Sequence, residues 1–229
     1  MKGAGTEREH AAGFVLAGGE SRRMGCDKAL VEFSGQPLIV RALKLLREAG
    51  VEARIAGARA SLEQFAPVIA DPEPGRGPLG GVCAALAALR EPRVSAGFVQ
   101  AVFMPVDLPL LPASLIALMV RRAAITGAVI TVPSVSGFAQ TLPAVVDPAA
   151  LPVLEGVLKE GRGGCFAAFK VAAAALGQRI AVLPIEYLAQ AGQVNHPESL
   201  SPAMWFLNAN SPADLARAEA VARRMSRVI

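Results

Sequence analysis

A short apolar run, Phe14-Val15-Leu16-Ala17, feeds directly into a loop rich in glycine and positive charge that ends at Lys28. The run has the length of a buried strand. Gly18, Gly19 and Gly25 permit positive φ and let the backbone approach a ligand closely. Beyond the loop come Ala29-Leu30-Val31 and a turn marked by Gly35 and Pro37. Leu38, Ile39, Ala42, Leu45, Leu46 and Ala49 then recur at helical spacing until Gly50 closes the helix. Strand, loop and helix in that order open an α/β unit, and ligands of such folds collect beyond the carboxyl ends of the strands. Backbone N–H groups in the loop, with Arg22, Arg23 and Lys28, would form an anion-binding concavity suited to a triphosphate. The plainer alternative is a solvated connection. Three glycines, three cations and Asp27 directly after a core-like run weigh against it. The loop is not a Walker A loop, because no Gly-Lys-Ser/Thr follows, and it is not a Gly-x-Gly-x-x-Gly fingerprint.

The alternation continues. Arg54-Ile55-Ala56 and Val68-Ile69-Ala70 read as short strands, the latter ending at Asp71. A second glycine-rich turn, Pro74 to Gly81, precedes an alanine-rich helix over roughly Val82 to Leu89. Phe98 to Met104 is the strongest strand, apolar enough to be covered on both faces, and runs into Pro105-Val106-Asp107-Leu108-Pro109. Ser114 is expected to cap a helix ending near Gly127. Val129–Val132 and Leu142–Val146 read as strands, Leu151–Lys159 and Gly163–Gly177 as helices, and Ile180–Leu183 as a strand. Trp205 to Asn208 reads as a last short strand. Ser211-Pro212-Ala213-Asp214 resembles a capping box opening a helix that buries Leu215, Ala218, Val221 and Ala222. The expected fold is a single doubly wound α/β domain over 13–229, three layers deep with a mostly parallel sheet, preceded by a disordered tail over 1–12.

Composition supports a large core: 53% of residues are hydrophobic and 18% charged. The first dozen residues carry both signs of charge and lack an apolar core segment, so they do not read as a signal peptide. The uncharged stretch Gly77–Leu89 is too short and too glycine-rich to span a bilayer. Cys26, Cys83 and Cys165 are scattered, without zinc spacing, as expected of reduced thiols in a cytoplasmic protein. A net charge of +4 suits a small anion. With one Trp, one Tyr and no basic run, the chain lacks the features of a nucleic-acid binder.

Asp107 lies between Pro105 and Pro109, which stiffen the segment and fix where its carboxylate points. A carboxylate facing a triphosphate needs a cation between them, and Mg²⁺ suits one carboxylate plus phosphate oxygens. Turn capping is the competing role for Asp107. It competes more strongly for Asp71, since Asp-Pro is a common turn starter, and for Asn208 and Asn210 in an Asn-Ser-Pro helix start.

Leu16-Ala-Gly-Gly-x-Ser-x-Arg-Met-Gly-x-Asp-Lys28 resembles the signature loop of the molybdenum-cofactor guanylyltransferases and their nucleotidyltransferase relatives, filled at every specified position. The resemblance implies a Rossmann-like nucleotidyltransferase fold. It also implies nucleotide contacts at Leu16, Ala17, Gly18, Gly19, Lys28, Asp71, Gly80 and Asp107. Gly77-Pro-Leu-Gly-Gly81 is similar to the family segment near base and ribose. Asp107 matches the family's metal-binding aspartate, and Leu207-Asn-Ala-Asn-Ser-Pro-x-Asp-Leu215 is similar to its terminal Asn-x-Asn motif, whose second Asn, here Asn210, corresponds to a second metal ligand in related uridylyltransferases. One departure stands out. The family's Asn-x-Asn-Arg run, with an asparagine on the guanine nucleotide, is Ala56-Gly-Ala-Arg59 here, so the resemblance carries nucleotidyl transfer further than base choice. Cys26 at a common glycine position is a smaller departure.

The implied reaction is Mg²⁺-dependent attack of an acceptor phosphate on the α-phosphorus of GTP, or another NTP, with pyrophosphate leaving. Lys28, Arg23 and Asp107 are the catalytic candidates and Mg²⁺ is the implied cofactor. Histidine chemistry is not required, and the two histidines, His10 and His196, fall outside the motifs. The implied acceptor is molybdopterin, with molybdoenzyme-maturation proteins as partners and neither nucleic acid nor membrane. The alternatives are a relative using CTP, one acting on a sugar phosphate or other phosphorylated acceptor, and a nucleotide-binding regulatory module without turnover.

Overall fold

In the computed structural model, β1 (Ala11–Leu16) lies between β4 (Glu52–Ala56) and β6 (Gln100–Pro105), paired parallel to both. The structure describes residues 11–17, 27–57, 60–73, 75–91, 100–161 and 163–225. Within these, β2 (Glu32–Phe33) and β3 (Gln36–Pro37) form a small hairpin. Its two-residue turn, Ser34-Gly35, has positive φ at both positions, as a type I′ turn needs. Helix α1 (Leu38–Glu48) follows, then β4, β5 (Val68–Ile69), α2 (Gly77–Ala88) and β6. The second half contains α3 (Ala113–Thr126), β7 (Ile130–Val135), β8 (Phe138–Ala139), β9 (Ala144–Val146), α4 (Leu151–Glu160), α5 (Cys165–Ala175), β10 (Ala181–Pro184), α6 (Ile185–Gln190), α7 (Pro202–Trp205) and α8 (Pro212–Met225).

The main sheet runs β10-β7-β9-β6-β1-β4-β5, with β8 paired to β7. All neighbours along that path are parallel except β9, which is antiparallel to both β6 and β7. Two apolar layers cover the sheet. One packs α1, α3, α6, α7 and α8 on one face; the other packs α2, α4 and α5 on the opposite face. This is the expected doubly wound, three-layer α/β/α arrangement. At its centre Phe14 and Phe103 face each other across β1 and β6, rings 5.5 Å apart and both wholly buried. Such a pair contributes about 1 kcal/mol beyond its area.

Several sequence expectations shift. Ala11 and Ala12 are buried members of β1, not the end of a tail; residues 1–10 of that tail lie outside the described residues. Helix α2 starts at Gly77, so the second glycine-rich turn supplies its first turn. Pro78 is tolerated there because first-turn N–H groups have no intrahelical partner. Pro112, not Ser114, is the N-cap of α3, and the Ser114 hydroxyl donates to the Asn195 carbonyl instead. Trp205 ends the short helix α7 and begins no strand. Its indole is buried, with Nε1 donating to the Leu200 carbonyl at 2.8 Å, and no sheet strand pairs with 205–208. The capping box is formed as spaced: Ser211 Oγ accepts from the Asp214 N–H at 3.2 Å and donates to Asp214 Oδ2 at 2.7 Å.

Candidate active site

The strand register brings the loop ends together. Leu16 pairs with Ala56 on one side and Pro105 on the other, and the ladder extends one step through Ala17 N–H to Ala56 O and Gly57 N–H to Ile69 O, both 3.0 Å. The segments after β1, β4, β5 and β6 therefore leave the sheet at one level. Leu16, Ala17, Lys28, Asp71 and Asp107 line a single cavity there, with the first turn of α2 contributing Gly77, Pro78 and Gly81.

Asp27 shapes the return from the glycine loop. Its carboxylate accepts from the Ala29 N–H at 3.0 Å, capping a short 3₁₀ turn over Lys28–Leu30. That turn sends the Lys28 side chain toward β6. Lys28 Nζ lies 2.6 Å from Asp107 Oδ2 and also donates to Asn210 Oδ1. Asn210 does not line the cavity. It reaches the site because the Ala209 N–H donates to the Asp107 carbonyl at 2.9 Å, pinning the Asn208–Asn210 segment to the Asp107 loop.

Asp71 serves two roles. Its Oδ1 accepts from the Glu73 N–H at 2.9 Å, the turn-starting role, while the residue still lines the cavity. Gly80 stands behind it: a Cβ there would lie 2.8 Å from Asp71 Oδ2. Gly80 is therefore the space that the Asp71 carboxylate fills, and it is not itself among the cavity-lining residues. Gly18, Gly19 and Arg23 lie outside the described residues, as do Arg22, Gly25 and Cys26. Ala56 and Gly57, which the resemblance aligns with the family's guanine-contacting run, also line the cavity, and so does Leu142, which no sequence feature singled out.

A divalent cation can be tested against this donor set. An aspartate carboxylate oxygen and an asparagine amide oxygen converge on one positive centre, the Lys28 ammonium. Hard oxygens organised around a cation are what Mg²⁺ takes alongside phosphate oxygens. Among the described residues no cluster of three or more His, Cys, Asp or Glu side chains gathers elsewhere as a rival metal site.

Residues 13–176 match the MobA-like NTP transferase domain. The chain belongs to that family. A probable molybdenum cofactor guanylyltransferase of Opitutus terrae is 34% identical over 190 residues, 82% of this chain and 91% of its own length. A molybdenum cofactor guanylyltransferase of Xanthomonas euvesicatoria is 43% identical over 105 residues, covering 45% of this chain and 50% of the relative. The fold matches molybdopterin-guanine dinucleotide biosynthesis protein A of Archaeoglobus fulgidus with a TM-score of 0.71 at 21% identity, over 93% of this chain and 99% of that one. It also matches 4-diphosphocytidyl-2C-methyl-D-erythritol synthase of Anaerococcus prevotii with a TM-score of 0.66 at 11% identity, over 94% and 99% of the two chains. This MobA-like chain is a nucleotidyltransferase, and its cavity lies beyond the carboxyl ends of the strands, where ligands of open α/β sheets collect. Among the described residues no helix is long and apolar enough to cross a membrane.

Proposed function

We propose that the chain transfers GMP from GTP to the phosphate of molybdopterin, releasing pyrophosphate, with Mg²⁺ held by Asp107 and Asn210. The observation that carries this reading is the convergence of Asp107 Oδ2 and Asn210 Oδ1 on one cationic nitrogen beside the strand ends. The guanylyltransferase names of the relatives supply the nucleotide and the acceptor.

An oxygen of the acceptor phosphate forms a bond to the α-phosphorus as the α–β phosphoanhydride bond breaks, and the departing pyrophosphate takes the electron pair. The attacking phosphate is anionic at neutral pH, so no side chain has to remove a proton from it. Catalysis then rests on positioning and charge neutralisation. Lys28, and on sequence grounds Arg23, oppose the charge growing on pyrophosphate. Leu16 and Ala17, and on sequence grounds Gly18 and Gly19, offer backbone to the phosphates, and Asp71 with the first turn of α2 orients the nucleoside. Bound by Asp107 and Asn210, Mg²⁺ would act as a hard Lewis acid that offsets phosphate charge.

A second reading concerns the base. Ala56 and Gly57 line the cavity where the family places a guanine-contacting asparagine run, so this wall offers the base backbone groups and a methyl. That favours keeping CTP as the alternative nucleotide. The test is pyrophosphate release with molybdopterin and each of GTP, CTP, UTP and ATP, using wild type and Asp107→Ala. GTP-dependent release that falls about a thousandfold in the variant, about 4 kcal/mol of barrier, supports the proposal. Preference for CTP moves the base assignment, and no release with any nucleotide overturns the reading.

A further inference from the structure

His196 occupies a place that the reaction does not explain. It is 9% exposed, lies outside the nucleotide cavity, and is held on three sides. Its Nδ1 accepts from the Glu198 N–H at 3.0 Å, which leaves the proton on Nε2, and Nε2 then donates to the Leu110 carbonyl at 3.1 Å. Its ring stacks on Trp205 with centroids 6.2 Å apart. Leu110 lies three residues beyond Asp107, and Trp205 lies five residues before Asn210. The neighbouring carbonyl, Pro109 O, is held by Arg41 Nε at 2.5 Å, and the Arg41 guanidinium rests over the Phe33 ring. Two consecutive carbonyls of the Asp107 loop are thus fixed by side chains from α1 and from the 196–198 turn.

We infer that His196 is a positioning residue: it clamps the loop carrying Asp107 against the segment carrying Asn210, and so sets the spacing of the two cation-binding oxygens. Asp and Asn have short side chains, so the separation of their oxygens follows the backbone closely. A displacement of about 1 Å in such a constellation costs on the order of a hundredfold in rate. The imidazole takes no part in proton transfer, because both nitrogens are committed to backbone groups away from the cavity. The inference rests on the reading of Asp107 and Asn210 as the Mg²⁺ ligands.

Side-chain reach separates positioning from mere stability. Glutamine at 196 places its amide near the present Nε2 and can keep the Leu110 link. Asparagine reaches only as far as Nδ1, so it can keep the local turn to Glu198 and must lose the cross-link. We expect His196→Asn to raise the half-saturating Mg²⁺ concentration about tenfold and lower kcat about tenfold or more, with nucleotide affinity in EDTA unchanged. His196→Gln should stay within about threefold of wild type. Mn²⁺ binding in the presence of a non-hydrolysable nucleotide, followed by electron paramagnetic resonance, should weaken in parallel in His196→Asn. The inference is overturned if both variants keep wild-type metal dependence. It is equally overturned if both lose activity only in proportion to folded protein. Failure of the underlying metal reading is recognised separately, by Asp107→Asn leaving Mn²⁺ binding untouched.

Discussion

Lys28 Nζ sits 2.6 Å from Asp107 Oδ2 and donates to Asn210 Oδ1 as well, with the Lys28 and Asp107 side chains only 15% and 19% exposed. The chain thus holds its own cation between the two oxygens assigned to Mg²⁺. A divalent ion that binds there competes with the ammonium unless Lys28 has turned toward phosphate. Lys28→Met should therefore bind Mn²⁺ about tenfold more tightly without nucleotide, roughly 1.4 kcal/mol. The same variant should bind the nucleotide–metal complex more weakly, because a phosphate partner is gone. Calorimetric titration of both forms decides it, and unchanged metal affinity in the variant would show that Lys28 does not compete.

Gly80 and Asp71 offer a separate test of the nucleotide wall. A Cβ at Gly80 would come within 2.8 Å of Asp71 Oδ2 and 3.1 Å of Arg76 Cβ. The Asp71 carboxylate is short and already anchored through Oδ1 to the Glu73 N–H, so it can yield only by leaving its turn. Gly80→Ala should weaken nucleotide binding several-fold while the melting temperature changes little, since alanine favours a helical position. Equal nucleotide affinity in the two proteins would remove Asp71 from the binding wall.

Asp107 could be read from the sequence because a continuous apolar strand followed by a proline-bracketed acid encodes its position locally. The β1 strand and the Ser211–Asp214 cap were legible for the same reason. Trp205 was not. Aromatic residues favour strands as a class, yet the Ser201-Pro202 start and the buried hydrogen bond from its indole to Leu200 hold it in a helix. Glycine and proline at 77–78 read as a break, though the first turn of a helix accepts both. His196 was passed over for a different reason. Its partner Leu110 lies 86 residues away along the chain, and no local pattern announces a contact formed only after two loops have folded together.

Gly13 gives a stability prediction at the centre of the sheet. A Cβ there would lie 2.7 Å from Val51 Cγ1 and 3.0 Å from Leu46 Cδ1, and both neighbours are buried. The methyl has to displace core side chains on the α1 face, an overpacking that costs about 1–3 kcal/mol. Gly13→Ala should lower the denaturant midpoint accordingly without changing metal dependence. An unchanged midpoint would mean that Val51 and Leu46 can repack freely.

The acid limb of stability should carry the signature of His196. Burial lowers its pKa below the usual imidazole value and outweighs the opposing effects of Glu198 and the Leu110 hydrogen bond, while Arg41 lowers it further. The unfolded chain then takes up a proton near pH 6.5 that the folded chain still refuses. Below that pH the unfolded state binds more protons, so the contribution of a neutral His196 is complete above about pH 6.5. It is lost as pH falls from there toward the depressed folded value. Protonating Nδ1, once the pH reaches the depressed folded value, removes the acceptor for the Glu198 N–H and opens the local turn, while Nε2 still donates to the Leu110 carbonyl. Denaturant unfolding of wild type between pH 7.5 and 5 should show stability falling with pH. His196→Gln, with no titrating group at 196, should show a shallower slope over the same range. Parallel slopes in the two proteins would mean that His196 protonates equally well folded and unfolded, and that its burial does not govern the acid response.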